Sequence, residues 1–258
     1  MNMLVCIKRV PDTGAKIELT EDEQAIETRN LGFTISPHEE CAVEEAVQLI
    51  GEHGGRSTVL TLGPEEAVEQ LRDSIARGMD RGVLLETDRN EWDPSATARA
   101  IVEAVRAQQD EGSGFNLLLF GNEAADTGDY QVGVRVAEAL DLPCVTGIKG
   151  LEIREGTAIA KREISGGWEI FEVSLPAVFT VKEGINLPRR ASLRGMITAK
   201  KKPIDRIKIE PQRTGSGFEL EKVRLKEPEE RGGQVKILGE GPQAAPKIVE
   251  VLRELEVL

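Results

Sequence analysis

NLLLFGNEAADTGDYQVGVRVAEALDLPCV, residues 116–145, is the stretch whose reading decides the fold. Leu117 to Phe120 are apolar without alternation, the pattern of a strand buried on both faces. Gly121 ends the run, and Asn122 to Gln131 is small, polar and acidic. Val132, Val136 and Leu140, with Ala139 beside them, then recur at helical spacing until Pro143 forbids continuation. A strand, a glycine-containing loop and a helix N-terminus can hold a phosphate through backbone N–H groups and the helix dipole. They also describe an ordinary strand-to-helix turn. The loop carries no Lys or Arg and no standard phosphate-loop motif, so a nucleotide must be argued from elsewhere in the chain.

Upstream, strand and helix patterns alternate. Leu4 to Val10 reads as a first strand turned by Pro11-Asp12, and Ala15 to Leu19 alternates as a short edge hairpin would. Ser36-Pro37-His38-Glu39 opens a helix: Ser36 caps, Pro37 suits the first helical position and Glu39 completes a capping box. Cys41, Val43, Ala46, Val47 and Ile50 form its stripe. A strand at Ser57 to Leu62, a helix ending at Gly78, a strand at Val83 to Leu85 and a helix after Asp93-Pro94 follow. Such alternation predicts a parallel sheet with helical crossovers.

After Gly147 the pattern changes. Leu151 to Arg154, Ala158 to Ile164 and Trp168 to Val173 read as strands, with Ser165-Gly166-Gly167 as a hairpin turn, and Pro176 to Val181 returns to the buried type. Residues 184–202, GINLPRRASLRGMITAKKK, lack stable periodicity and reverse the charge of an acidic chain. They fit either a solvated loop or a docking loop in which basic residues steer an acidic partner and Leu193 is the apolar anchor. Ile204 to Gly241 is polar and reads as an arm, and Pro246 to Leu258 as an amphipathic helix. The expected organisation is an α/β domain over 1–205, including the loop at 184–202, and an arm with a helix over 206–258.

Composition excludes several function classes. A net charge of −12 argues against nucleic acid as the main partner, and one Tyr and two Trp offer no platform for stacking bases. No apolar run approaches a membrane span, and MNMLVCIKRV lacks a signal-peptide layout. Cys6, Cys41 and Cys144 read as reduced thiols of a cytoplasmic protein. With only His38 and His53, neither a histidine-rich metal site nor a Ser–His–Asp triad is readily assembled.

Six segments then carry a resemblance: VCIKRVPD, SPHEECAVEEAVQL, LGPEEAVEQLRDSIARGMDRGV, GNEAADTGDYQVG, KREISGGWEIFEVSLPAVFTV and INLPRRASLRGMITAKKKPI. In order and spacing they resemble the beta subunit of electron transfer flavoproteins, from residue 4 to about 205. The resemblance implies an α/β sheet like that of the adenine nucleotide alpha hydrolases, with a C-terminal arm packing on an alpha subunit. It implies a carrier and not an enzyme. Electrons would pass from acyl-CoA dehydrogenase-type donors to a quinone reductase through an FAD shared with the alpha subunit, beside a structural AMP. In bifurcating relatives a second FAD, reduced by NADH, takes the place of the AMP. A free-standing nucleotide-binding enzyme or sensor of the same fold is the runner-up.

Carried over by resemblance, the nucleotide pocket would use Cys6, Ser36, Glu39 and Leu62 beside the loop Gly121 to Val132. Within that loop fall Asn122, Ala124, Asp126, Thr127, Gly128, Asp129, Tyr130 and Gln131. Thr13 and His38 would neighbour the flavin edge. Glu163, Leu193, Arg189, Arg190, Arg194, Lys200 and Lys201 would meet partners. Ser36, Leu187, Thr198 and the loop from Asp126 to Gln131 depart from the common family pattern. Tyr130, bulky at a loop position, and an ionised Glu39 beside the phosphate favour AMP over a second FAD.

Overall fold

Apolar runs with no polar face can be buried only if helices cover both sides of a sheet, and the chain is built that way. The computed structural model describes residues 1–12, 14–88, 92–110, 114–210, 223–228 and 236–258. In chain order the elements are β1 (Asn2–Ile7), β2 (Val10–Pro11), β3 (Phe33–Thr34), α1 (Pro37–His53), β4 (Arg56–Gly63) and α2 (Val68–Arg77). They continue with β5 (Arg81–Glu86), α3 (Pro94–Asp110), β6 (Leu117–Gly121), α4 (Val132–Ala139), β7 (Cys144–Arg154) and β8 (Thr157–Ile164). The last are β9 (Gly167–Ser174), β10 (Ala177–Val181), α5 (Leu193–Ala199), β11 (Ile204–Lys208) and α6 (Ala245–Glu254).

Among the described residues, nine strands form one sheet in the order β11-β5-β4-β1-β6-β10-β7-β8-β9. Every pairing from β11 to β7 is parallel, and β7-β8-β9 is an antiparallel extension. Met3, Val5 and Ile7 face a core shared with α1 and α2, while Leu4 and Cys6 face a second core shared with α3 and α4. From β1 the chain crosses to β4 and β5 on one side and returns with β6 on the other. That reversal is the topological switch point, outside whose carboxyl ends ligands bind in open parallel sheets.

The sequence expectations hold in outline and fail at defined places. The Ser36 capping box is present, its side chain accepting the Glu39 N–H. Asp93 caps α3 by accepting the N–H groups of Ser95 and Ala96 at 2.7 and 2.9 Å. Ala15 to Leu19 forms no full strand: only its end takes part in a hairpin, where the Glu27 N–H donates to the Glu18 carbonyl at 2.8 Å, and a second short ribbon joins β2 with β3. β7 begins seven residues before the expected Leu151, because its first residues pair with β10 before the strand continues into the antiparallel extension.

Residues 184–202 are not loop throughout: Ser192 caps α5 by accepting the Gly195 N–H at 3.0 Å. The helical period is hidden because its inward positions are the small Gly195 and Ala199, while Leu193, Met196 and Ile197 face outward. Gly195 is required there, since a Cβ would meet the Ala76 carbonyl of α2. β11 adds a parallel edge to β5, so the composition change at 205 falls inside a strand. It reads as polar because an edge strand has little to bury, with only Ile204 packing inward over Gly82.

The chain divides into two compact units, Met1–Glu18 with Ile26–Lys222, and Leu19–Ala25 with Val223–Leu258. In the second, the Leu225 N–H donates to the Glu23 carbonyl at 2.8 Å. α6 follows a 3-10 turn at Gly241–Ala244 and leaves Ile248 and Leu255 exposed. No helix of the described residues is long and apolar enough to cross a membrane.

Candidate functional site

At the switch point the ends of β1, β4 and β6 meet the first turn of α1 and the loop 122–131. Glu39 is the buried centre. Its carboxyl accepts the Ser36 N–H at 3.0 Å and the Lys8 N–H at 2.9 Å, fastening the end of β1 to the start of α1. Burial pushes this carboxyl up to about 8, although both N–H groups and the Lys8 charge act to lower it. Its two oxygens face inward onto these N–H groups and are spent on joining β1 to α1. Burial, and then the nearby Glu39, raise the Cys6 thiol well above its ordinary range, making it a packing group without nucleophilic character.

Gly121 allows this closeness. A Cβ there would lie 2.6 Å from Glu39 Cγ and 3.3 Å from Ser36 Oγ. Past it, the Asn122 N–H donates to the Val181 carbonyl at 2.9 Å, and Asn122 Oδ1 accepts the Thr180 hydroxyl at 2.8 Å. The Gly128 N–H closes the loop onto the Ala124 carbonyl at 2.9 Å. Tyr130 takes a left-handed φ of 55° and is 57 % exposed, so its side chain stands at the rim. Gln131 opens α4 without capping it, because its side chain accepts from the Arg135 guanidinium at 2.8 and 3.1 Å. The first-turn N–H groups of α4 thus have no side-chain cap, and Leu62 and Val132 pack on the apolar cluster containing Cys6.

The cation missing from the loop comes from the residue that follows β1. Lys8 Nζ reaches the Asp126 carboxylate at 2.8 Å, while Asp126 also accepts the Thr127 N–H at 2.9 Å. Lys8 is legible in hindsight as the charge that ends a buried central strand at the switch point. Glu123 was also missed. His38 Nδ1 accepts the Glu183 N–H at 2.9 Å, which fixes the tautomer with the proton on Nε2, 3.2 Å from Glu123. Asp129 is half-buried in the same loop, and Thr13 lies outside the described residues. Among the described residues no group of His, Cys, Asp and Glu could hold a metal ion.

The residues assigned to partners lie on other elements, mainly the segment between β10 and β11 and the antiparallel extension. Leu193 is 72 % and Leu187 90 % exposed, with Met196 and Ile197 also exposed, and Arg190, Arg194, Lys200 and Lys201 stand among them. Arg189 differs, since its guanidinium grips the buried Glu44 carboxylate at 2.7 and 2.8 Å. Glu163 pairs with Lys149 at 2.6 Å on the antiparallel extension, across the strands from the exposed Trp168.

Comparison with known proteins matches residues 25–212 to the family described as electron transfer flavoprotein domain. The chain is 36 % identical to the electron transfer flavoprotein subunit beta of Bacillus subtilis, over 98 % of both chains. It is 38 % identical to the protein of that name from Syntrophomonas wolfei, over 79 % of this chain and 78 % of that one. It is also 30 % identical to the caffeyl-CoA reductase-Etf complex subunit CarD of Acetobacterium woodii, over the whole of both.

Proposed function

The chain belongs to the electron transfer flavoprotein family, and from that premise we propose that it is the beta subunit of a heterodimeric, flavin-dependent electron carrier. Its alpha subunit holds most of an FAD, its donors are acyl-CoA dehydrogenase-type enzymes and its acceptor is a quinone reductase. The FAD, when bound, accepts and releases the electrons. This chain's residues hold a nucleotide, complete the flavin's surroundings and dock the donor. The cysteines, none of them in a disulfide, suit a cytoplasmic site of action.

The nucleotide at the switch point is proposed to be AMP. The residues present fit a single phosphate: Gly121 lets the first turn of α1 close against the end of β6, the α4 N–H groups have no side-chain cap, and Lys8 contributes one ammonium. The number of phosphate cradles carries the choice of nucleotide: one set of uncapped helix N–H groups beside one ammonium suits the single phosphate of AMP, whereas a second FAD needs a second phosphate held next to it. Glu39 contributes nothing to this choice, being turned inward.

A second reading is a bifurcating carrier whose second FAD, reduced by NADH, sits where AMP would. The full-length similarity to the caffeyl-CoA reductase-Etf subunit favours considering it. Co-expression with the alpha subunit tests the carrier proposal itself. The pair should elute as a yellow 1:1 complex, whereas the chain alone should be colourless. A well-folded monomer that hydrolyses ATP by itself would instead support the free-standing enzyme.

A further inference from the structure

The segment between β10 and β11 is rooted at both ends. Near its start, Asn186 Nδ2 donates to the Cys41 carbonyl at 3.0 Å and to Glu45 Oε2 at 2.8 Å. Three residues on, the Arg189 N–H and Nε donate to Glu44 Oε2 and its Nη2 to Oε1, which also accepts from Gln48 at 2.7 Å. Near its end, Arg72 of α2 donates to the Ala199 and Lys202 carbonyls. Between the roots, Leu187, Leu193, Met196 and Ile197 face solvent.

We infer that Arg189 is a positioning residue, which with Asn186 clamps the root of this segment to Glu44 and Glu45 of α1 and so presents the apolar anchors to the partner. The inference rests on the docking role proposed above. It gives Arg189 a duty inside the fold, apart from the steering role that its charge suggests.

The reason is electrostatic. The Glu44 side chain is 5 % exposed. Burial would raise its carboxyl, but hydrogen bonds from Arg189 and Gln48 outweigh that and hold it below the usual range, so it is ionised. Drawing Arg189 away to a partner carboxylate would leave Glu44 charged, buried and stripped of its bidentate partner, which is among the costliest rearrangements available to a protein, so Nε and Nη2 stay committed to Glu44. Arg190 and Arg194 carry no such obligation, and steering belongs to them and to Lys200 and Lys201.

The clamp also joins two sites. α1 begins at Ser36 and Glu39 in the nucleotide site and carries Glu44 and Glu45 little more than one turn later. One rigid helix thus sets the registration of both.

The test uses the heterodimer with its flavin and an acyl-CoA dehydrogenase reduced with octanoyl-CoA as donor. Glu44→Gln, Arg189→Met, Asn186→Ala, Arg190→Met and Leu193→Ala are compared by hydrogen exchange of residues 186–197 and by KM and kcat at several salt concentrations. Glu44→Gln and Arg189→Met should each speed exchange in the segment and raise the donor KM about tenfold. Flavin content, kcat and the salt dependence of KM should stay as in the parent, and the double variant should be no worse than either single one. Arg189→Lys should restore part of the loss. Arg190→Met should leave exchange unchanged and flatten the salt dependence. If Glu44→Gln did not fold, Asn186→Ala, which keeps the charges, must still speed exchange. Unchanged exchange in Asn186→Ala and Arg189→Met, with a flattened salt dependence in Arg189→Met, would overturn the inference and place Arg189 on the partner. A KM unmoved by Leu193→Ala would instead strike at the docking role, leaving the exchange measurements to decide the clamp.

Discussion

Lys8 Nζ lies 2.8 Å from the Asp126 carboxylate, joining the end of β1 to the acidic loop after β6 across 118 residues of sequence. Both side chains are partly exposed, so the ammonium is placed at the rim without being sealed from a ligand. A hydrogen bond from a charged group contributes about 1.5–3 kcal/mol, roughly ten- to a hundredfold in affinity. Lys8→Met should weaken AMP binding to the nucleotide-stripped heterodimer by that factor in calorimetric titration. Asp126→Asn should instead tighten it or leave it unchanged, because it removes a competitor for the same ammonium and one negative charge from the rim. An equal loss in both variants would show that the pair acts only through loop structure.

Gly121 should not tolerate a side chain. Alanine would force its Cβ to within 2.6 Å of Glu39 Cγ unless strand or helix shifted. Overpacking of this kind costs about 1–3 kcal/mol. Thermal unfolding of the Gly121→Ala heterodimer should show that loss together with lowered nucleotide content, and a variant of parent stability would contradict the packing described.

Glu39 sets a pH dependence with a definite sign. Its carboxyl is raised from 4.5 to about 8, with burial the main cause. Between those values the native chain keeps a proton that the unfolded chain has lost, so stability falls as pH rises through that window and levels above it. Glu39→Gln should flatten this slope between pH 5 and 8, while lowering stability at every pH because its amide cannot accept both N–H groups. Denaturant titrations of the two proteins at several pH values check this, and parallel curves would contradict it.

Leu193→Ala should leave folding and flavin content as they are, because the side chain is 72 % exposed. It should weaken electron acceptance from the donor by the ~2 kcal/mol or more of a hot-spot truncation. A melting temperature lowered as far as by a core truncation would make the leucine structural.

Much of this was legible because local chemistry and the global fold agree. The Ser36 capping box, the unbroken apolar run before Gly121 and the alternation of strands and helices each lead to the observed element. What escaped has physical causes. α5 turns its small residues inward, and so its period reads in reverse. β11 is a polar edge strand whose pairing with β5 depends on residues more than a hundred positions away. In the site, Lys8 could not be joined to the loop without the sheet order. Arg189 could be assigned to docking by charge, yet only the fold places it on Glu44.

The central claim is that the switch-point site holds a nucleotide with one phosphate beside a single flavin carried with the alpha subunit. Acid extraction of the purified heterodimer, with FAD and AMP quantified per complex and NADH then added to the intact protein, tests it most directly. One FAD and one AMP, with no bleaching by NADH, is the predicted result. Two FAD per complex, no AMP and rapid reduction by NADH would contradict it and make the protein a bifurcating carrier.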